Sequence, residues 1–388
     1  MVTAAGPDFL QIDSLLSEQE KDFRDRVKRF VDEECMPVIV KHFDEATFPL
    51  PLVPQMAALG LFGVQVEGYG CHKVSNIAYG LACQELGQCD SGLRAMFSVQ
   101  NSLVMRPIFA FGSEKQRRTW LPKLRTGEAI GCFGLSEPDF GSNPGGMSTR
   151  AALHGNSYRI NGIKMWITNG SIAHVALIWA KTPEGIRGFL VKTSTPGFRV
   201  TSIRHKFAYR TSPTALIELK DCEVEADAML LGAIGLKAAF GCLNDARYGV
   251  ACSALGSAIA CYKAAKAFAA EREVFEKPIA AYQLVQERLA NMLVEITKAQ
   301  LLTYHAGRLL DAGTSRHQQI SMAKLNNVRE AMKIARLARD ILGARGILAD
   351  HHVIRHLCDL EALSTLEGTE SIHTLVLGQD ITGISAFY

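Results

Sequence analysis

At 388 residues, 48% hydrophobic and 21% charged, the chain has the composition of a soluble globular enzyme with two or three domains. A formal net charge of +3 is too small to mark a nucleic-acid or acidic-surface partner. The ten cysteines stand singly, with neither C-x-x-C nor paired spacing, so no zinc site or disulfide framework is expected and reduced thiols in a cytoplasm fit. The N-terminus carries Asp8, Asp13 and Glu18 where a secretion signal would be basic, then apolar. The uncharged run Tyr248 to Tyr262 is shorter than the roughly 20 residues of a membrane span.

Residues 13 to 130 read as helical. Ser17 followed by Glu20 forms a capping signal ahead of Phe23, Val27, Phe30 and Val31 at helical spacing. Further helices are predicted from Pro51 to Leu61, from Asn76 to Cys89, through the apolar run Leu93 to Phe111, and from Ser113 to about Leu121-Pro122. From about Glu128 to Glu225 the pattern changes to period two. Tyr158 to Trp166 is predicted as a hairpin turning at Asn161-Gly162, with further strands at Val175–Ala180, Gly188–Lys192, Phe198–Ile203 and Ala215–Lys220. Beyond Leu231 the chain is helical again, with apolar stripes Val285, Leu289, Met292, Leu293, Ile296, Ala299 and then Met322, Leu325, Val328, Met332, Ala335. The expected fold is mostly α with an inserted β domain: an N-terminal helical domain over 1–130, a barrel-like middle domain over 131–230 and a C-terminal four-helix bundle over 231–388.

Chemistry enters at Leu366-Glu367-Gly368-Thr369. A carboxylate at a glycine turn, beside a leucine and just past a helical run, is placed where desolvation raises its pKa. A general base for a weakly acidic C–H needs that environment. The alternative is a solvated glutamate at a helix end. Two loops accompany it: Cys132 to Asn143, rich in glycine and small hydroxyls, and Trp166-Ile167-Thr168-Asn169-Gly170, an aromatic plane with a hydroxyl donor.

Together these motifs resemble the acyl-CoA dehydrogenase family of FAD flavoproteins along essentially the whole chain. The resemblance is strongest to its glutaryl-CoA dehydrogenase branch, through Asp90-Ser91-Gly92-Leu93-Arg94, Ser98-Val99-Gln100, Ala246-Arg247-Tyr248-Gly249, His352 to His356 and Ile381-Thr382-Gly383. It implies that Glu367 removes the α-proton of an acyl thioester while the β-hydride passes to the flavin. It implies that the Glu367 amide and Gly368 line the thioester carbonyl, and that Phe133, Leu135, Ser136, Trp166 and Thr168 contact the flavin ring. By the same resemblance Ser142 lies near both pantetheine and flavin, Asn244 and Arg247 bind substrate, and Thr369 touches the cofactor. Arg272, Phe275, Gln283 and Asp340-Ile341-Leu342-Gly343 resemble the places where a neighbouring subunit holds FAD, which implies a homotetramer. An electron-transferring flavoprotein is the implied acceptor.

Arg94 sets the substrate class. On its own it reads either as an i,i+4 helix partner of Asp90 or as a partly buried cation that needs an anion. In the glutaryl branch the matching arginine binds the distal carboxylate, with a hydroxyl where Ser98 stands, and a guanidinium fork suits a carboxylate. The chain also departs from that branch. Gly87 stands where the branch has a proton-relay glutamate, Leu366 where it has a tyrosine, and Ala95 where it has a serine. Glu276 replaces a glycine in the cofactor clasp and Ala344 one of a glycine pair. The first three predict a less polar acyl cavity, roomier at Gly87 and Leu366, and put decarboxylation in doubt. Oxidation of a bulkier 2-substituted dicarboxylyl-CoA such as benzylsuccinyl-CoA, or of a thioester on a carrier protein, is the competing enzyme reading. A flavoprotein scaffold without catalysis is disfavoured by the retained Glu367.

Overall fold

The structure is a computed structural model that describes residues 8–387, so the first seven residues of the expected N-terminal segment and the last of the C-terminal one lie outside it. Ser17 and Glu20 form the reciprocal capping box that opens α1 (Glu18–Phe30), and a π-helical turn leads from it into α2 (Met36–Glu45). The short α3 (Leu52–Ala58) precedes α4 (Asn76–Cys89) and α5 (Ser91–Ser98), and a second π-helical stretch carries α5 into α6 (Arg106–Phe111). The expected break at Asp90 is real: its carboxylate accepts from the amides of Gly92 (2.8 Å) and Leu93 (3.0 Å), capping α5.

The next helix, α7 (Glu114–Thr126), does not stop at Pro122 as the sequence suggested. Leu121 and Leu124, both fully buried, anchor it on either side of the proline, and Gly127 at φ 74° closes it.

Eight strands follow: β1 (Gly131–Gly134), β2 (Arg150–His154), β3 (Ser157–Ile167), β4 (Val175–Thr182), β5 (Gly185–Lys192), β6 (Phe198–Ser202), β7 (Ala215–Glu225) and β8 (Met229–Ile234). They form one barrel-like sheet in the order β6-β7-β3-β2-β4-β5-β8, with β1 parallel to β4. The hairpin expected at Asn161-Gly162 is not there. Both residues lie inside β3, at a bulge in its pairing with β7, while the real turn, Gly155-Asn156, joins β2 to β3. Asn161 instead binds across the sheet, accepting from the Asp221 amide at 2.8 Å.

The helical half resumes with α8 (Gly235–Glu271), a small hairpin of β9 (Glu273–Val274) and β10 (Lys277–Pro278), then α9 (Gln283–Asp311), α10 (His317–Leu342), α11 (Val353–Thr365) and α12 (Glu370–Thr382). Helices α8 to α11 make the expected bundle, and α12 packs on α10. The buried face of α10 is Ile320, Ala323, Lys324, Asn327, Val328, Ala331, Ile334, Ala335, Ala338. It shares Val328 and Ala335 with the predicted stripe, but Met322 is 47% exposed. No helix among the described residues is long and apolar enough to cross a membrane.

Two features position the site. Helices α4 and α8 approach closely at glycines: a Cβ on Gly87 would sit 2.7 Å from the Ser253 carbonyl oxygen, and one on Gly256 would sit 2.1 Å from that of Gln84. Gly87 therefore opens no space for substrate, and the roomier cavity expected there is filled by α8. The second feature is a fully buried ion pair. Lys164 of β3 donates to Glu137 at 2.9 Å and to the Leu135 carbonyl at 3.1 Å. Glu137 also accepts from the amides and hydroxyls of Ser148 and Thr149 at 2.5–3.0 Å. The loop after β1 is thus pinned to β3.

Burial alone would raise the Glu137 pKa, but the bonds from Ser148, Thr149 and Lys164 hold it down to about 2. Its stabilising share is therefore complete above the ordinary carboxylate range and is lost progressively as pH falls from there through about 2. At neutral pH, Glu137→Gln leaves a buried lysine without its counter-charge and should cost about 3–5 kcal/mol in urea unfolding. Adding Lys164→Met in that background should restore part of the loss. A single variant as stable as the wild type would show that the pair does not hold the loop.

Candidate active site

The C-terminal end of α11 delivers Glu367 at φ 55°, followed by Gly368 at φ 107° and then Thr369, whose hydroxyl caps α12 by accepting from the Ile372 amide (3.2 Å). Two successive left-handed residues turn the chain sharply, and the second admits no side chain: a Cβ on Gly368 would lie 2.8 Å from His373 Nε2. A Gly-Thr sequence after the glutamate meets both demands.

Lys324 holds this turn. Almost wholly buried on α10, it donates to the carbonyls on either side of Glu367, those of Leu366 and Gly368. Arg247 of α8 donates through Nε to the carbonyl of Glu367 itself at 2.7 Å. The backbone at Glu367 is thereby fixed from two helices. Its Oε2 is shielded from solvent and has no hydrogen-bond partner. Burial raises its pKa, against the opposing pull of Arg94, Lys324 and Arg247. Burial also lowers Lys324 to about 7, with Arg247 and Arg94 adding to that and Glu367 opposing it.

Arg94 of α5 is 1% exposed. The helix pair with Asp90 does not form, because Asp90 is engaged with the α5 cap, Thr211 and Arg355. Arg94 donates instead to the Tyr209 hydroxyl at 2.6 Å, and its Nε has no partner. Among the described residues no carboxylate forms an ion pair with it, although Glu367 is near enough to act on its charge. Ser98, a turn further along α5, is fully buried and bonded to the Tyr79 hydroxyl at 3.1 Å. Asn244, one turn before Arg247, has a buried Oδ1 without a partner.

A second group gathers where the loop after β1 meets the end of β3. Phe133 and Leu135 are buried, and the Met165 amide donates to the Ser136 carbonyl at 3.0 Å. Trp166, left-handed at φ 64° and 58% exposed, stands beside that contact, with Thr168 half-buried beyond it. Trp166 is thus a surface residue and not part of the sheet's core. Ser142 is exposed on the loop between β1 and β2.

The remaining predicted residues sit away from Glu367, at one end of the bundle. Arg272, Phe275, Gln283, Asp340 and Gly343 are exposed there, whereas Ile341 and Leu342 are buried in the bundle core. Asp340 pairs with Arg288 of α9 at 2.6 Å. Phe275 and Glu276 form the two-residue turn of the β9–β10 hairpin at φ 50° and 67°. The glycine-to-glutamate departure at 276 therefore falls on a left-handed residue, which for an L-amino acid costs about 1–2 kcal/mol. Ala344 has no such burden, because Gly343 takes the left-handed conformation before it.

Sequence reasoning missed Lys324, His373 and Tyr209. His373, held neutral by burial with a pKa near 3, places Nδ1 3.0 Å from the Ser321 hydroxyl under the Gly368 turn.

The order of helical, sheet and helical segments matches known proteins along essentially the whole chain. Family models for the acyl-CoA dehydrogenase N-terminal, middle and C-terminal domains match residues 17–128, 132–222 and 234–382. The mitochondrial short-chain specific acyl-CoA dehydrogenase of Homo sapiens is 35% identical over 90% of this chain and 86% of its own. A glutaryl-CoA dehydrogenase from Mycobacterium smegmatis, solved also in complex with FADH2, is 47% identical with a TM-score of 0.98, covering 99% of this chain and 100% of that one. A glutaryl-coenzyme A dehydrogenase solved as its glutaryl-CoA complex is 30% identical with a TM-score of 0.91, covering 95% of this chain and 96% of that one. This chain belongs to the acyl-CoA dehydrogenase family of oxidoreductases.

Proposed function

We propose that the chain is a FAD-dependent dehydrogenase of a dicarboxylic acyl-CoA thioester, of glutaryl type. The observation that carries the dicarboxylic part is Arg94: a buried guanidinium with an unpartnered Nε, no ion-pair partner among the described residues, and the candidate base close by. A buried cation without a counter-ion is costly, and a carboxylate on the substrate would supply one.

The residues present fit FAD. The exposed Trp166 indole, on the strand end that bonds to Ser136 next to the buried Phe133 and Leu135, gives a flat apolar face for the flavin ring, and Thr168 adds a hydroxyl. When bound, FAD supplies the acceptor for the β-hydride. This chain's part is the proton. Glu367, basic through burial yet kept ionised by its cations, removes the α-proton, and the amide at the Gly368 turn meets the charge that develops on the thioester oxygen. Arg94 holds the far end of the acyl chain, and Asn244 and Arg247 lie on the wall between. The exposed Phe275 hairpin and the Asp340–Gly343 corner support a homotetramer in which a neighbour shares the cofactor, with an electron-transferring flavoprotein as acceptor.

Three outcomes follow. Arg94→Gln should lower kcat/KM for glutaryl-CoA relative to butyryl-CoA more than a hundredfold, the consequence of losing one partner of a buried charge pair. An equal loss on both substrates would make the arginine structural.

The rate of flavin reduction should fall as pH drops through the raised pKa of Glu367, because only the ionised carboxylate takes a proton. Lys324→Met removes a cation that lowers that pKa, so its acidic limb should move to higher pH. A limb that stays in place would show that Lys324 does not act on the base.

Completing decarboxylation after oxidation requires a proton delivered to the dienolate. Position 87 is a glycine lodged against α8 and position 366 is a leucine, so Glu367, once protonated, is the one evident acid left for that step. Product mass spectrometry should therefore show the unsaturated dicarboxylyl-CoA accumulating ahead of carbon dioxide release. Crotonyl-CoA appearing in step with flavin turnover would overturn this.

A further inference from the structure

Tyr209 belongs to the connection between β6 and β7, a segment in which the sequence shows no motif. It is nonetheless among the most constrained residues of the site. Its ring is 6% exposed and its backbone is left-handed at φ 55°. A bulky residue rarely stays there unless its surroundings force it. Here they do. The Tyr209 amide donates to Asp359 at 2.7 Å, and its carbonyl accepts from the Ser212 amide at 3.0 Å and from the Lys206 ammonium. The next residue, Arg210, is anchored on the carbonyls of Phe43 and Asp44, each at 2.7 Å. All this fixing delivers one atom, the phenol oxygen, to Arg94 at 2.6 Å.

That contact uses a lone pair of the phenol. Its own proton remains, and among the described residues none accepts it. The guanidinium beside it keeps an unpartnered Nε. Two buried donors without acceptors therefore stand side by side, joined by the Arg94–Tyr209 bond. Burial also keeps the phenol neutral well beyond its ordinary range, so it is a donor at any working pH. The tyrosine packs in the same apolar cluster as Ala95 and Leu366, two positions at which this chain lacks a hydroxyl.

We infer that Tyr209 is a specificity-determining residue: its hydroxyl donates to the same distal carboxylate that Arg94 receives, making a two-armed site for the acid end of a short dicarboxylyl-CoA. The inference rests on the reading of Arg94 given above and adds a residue that discriminates acyl chains by their terminal group. A neutral chain end would leave both donors unsatisfied, which is how a buried polar site rejects an isostere.

The test uses the holoenzyme and the ratio of kcat/KM for glutaryl-CoA to that for butyryl-CoA, with bound-flavin content and thermal midpoint as folding controls. Tyr209→Phe keeps the ring and should lower the ratio about tenfold, as expected for one hydroxyl–carboxylate bond. An unchanged ratio would overturn the inference. Arg94→Gln is run beside it: if that variant leaves the ratio intact, the carboxylate reading itself fails and Tyr209 with it. If Arg94→Gln lowers the ratio and Tyr209→Phe does not, only the tyrosine assignment falls. In the Arg94→Gln background Tyr209→Phe should still lower the ratio severalfold, because a bond to substrate does not run through the guanidinium. No further loss there would overturn direct contact and leave Tyr209 a positioning residue for Arg94.

Discussion

The site depends on an imbalance of charge. Glu367 is acted on by Arg94, Lys324 and Arg247, so one carboxylate faces three cations in a water-poor pocket. Each cation is accounted for differently. Lys324 is spent on the carbonyls of Leu366 and Gly368, and Arg247 on the carbonyl of Glu367. Arg94 has only a phenol. The first two fix the base, and the third is the charge left over for a ligand. Fixing through backbone carbonyls leaves the carboxylate oxygens free of strong partners, as a base must be, while the nearby positive charge keeps them ionised.

Holding three cations and a carboxylate together requires elements that cannot drift apart. Glycines let α4 and α8 meet backbone to backbone, and α8 carries Arg247 while α4 leads directly into the helix of Arg94. The Lys164–Glu137 pair does the same for the sheet, pinning the loop that carries Leu135 and Ser136, just after Phe133 of β1, to the strand that carries Trp166 near its end. The two devices differ in kind. Close helix packing is cheap and general, whereas a buried ion pair is retained only where each charge is fully satisfied, as Glu137 is by Ser148 and Thr149.

Much of this was legible in the sequence, and the exceptions have physical reasons. Helix starts at Ser17, Ser75 and Ser113, the break at Asp90 and the glutamate–glycine turn follow local rules, and the chain obeys them. Asn161-Gly162 carries the strongest hairpin signal in the middle segment, yet it lies within a strand, because Asn161 finds its partner across the sheet in Asp221. Lys324 was hidden by its company. A lysine and an asparagine on the inner face of α10 interrupt the apolar period, so the stripe drawn through Met322 skipped the side of the helix that matters. Tyr209 had no local signal at all. Its role comes from contacts with residues more than a hundred positions away, Arg94 and Asp359, which no window of sequence brings together.

The same charge imbalance links substrate choice to base strength. While Arg94 is unneutralised, it helps to keep Glu367 ionised and correspondingly weak as a base. On the function proposed above, a distal carboxylate settling on Arg94 cancels much of that influence. The glutamate then becomes more basic just as the α-carbon arrives. A monocarboxylic chain leaves the guanidinium uncompensated and the base at its weaker setting. Discrimination would then reside in the proton-transfer step as well as in binding, without any movement of the backbone. The bonds from Lys324 and Arg247 to the carbonyls around Glu367 matter for this, because they fix the turn from which the carboxylate projects, and from there it forms no ion pair with Arg94 that would close the site to the substrate's acid.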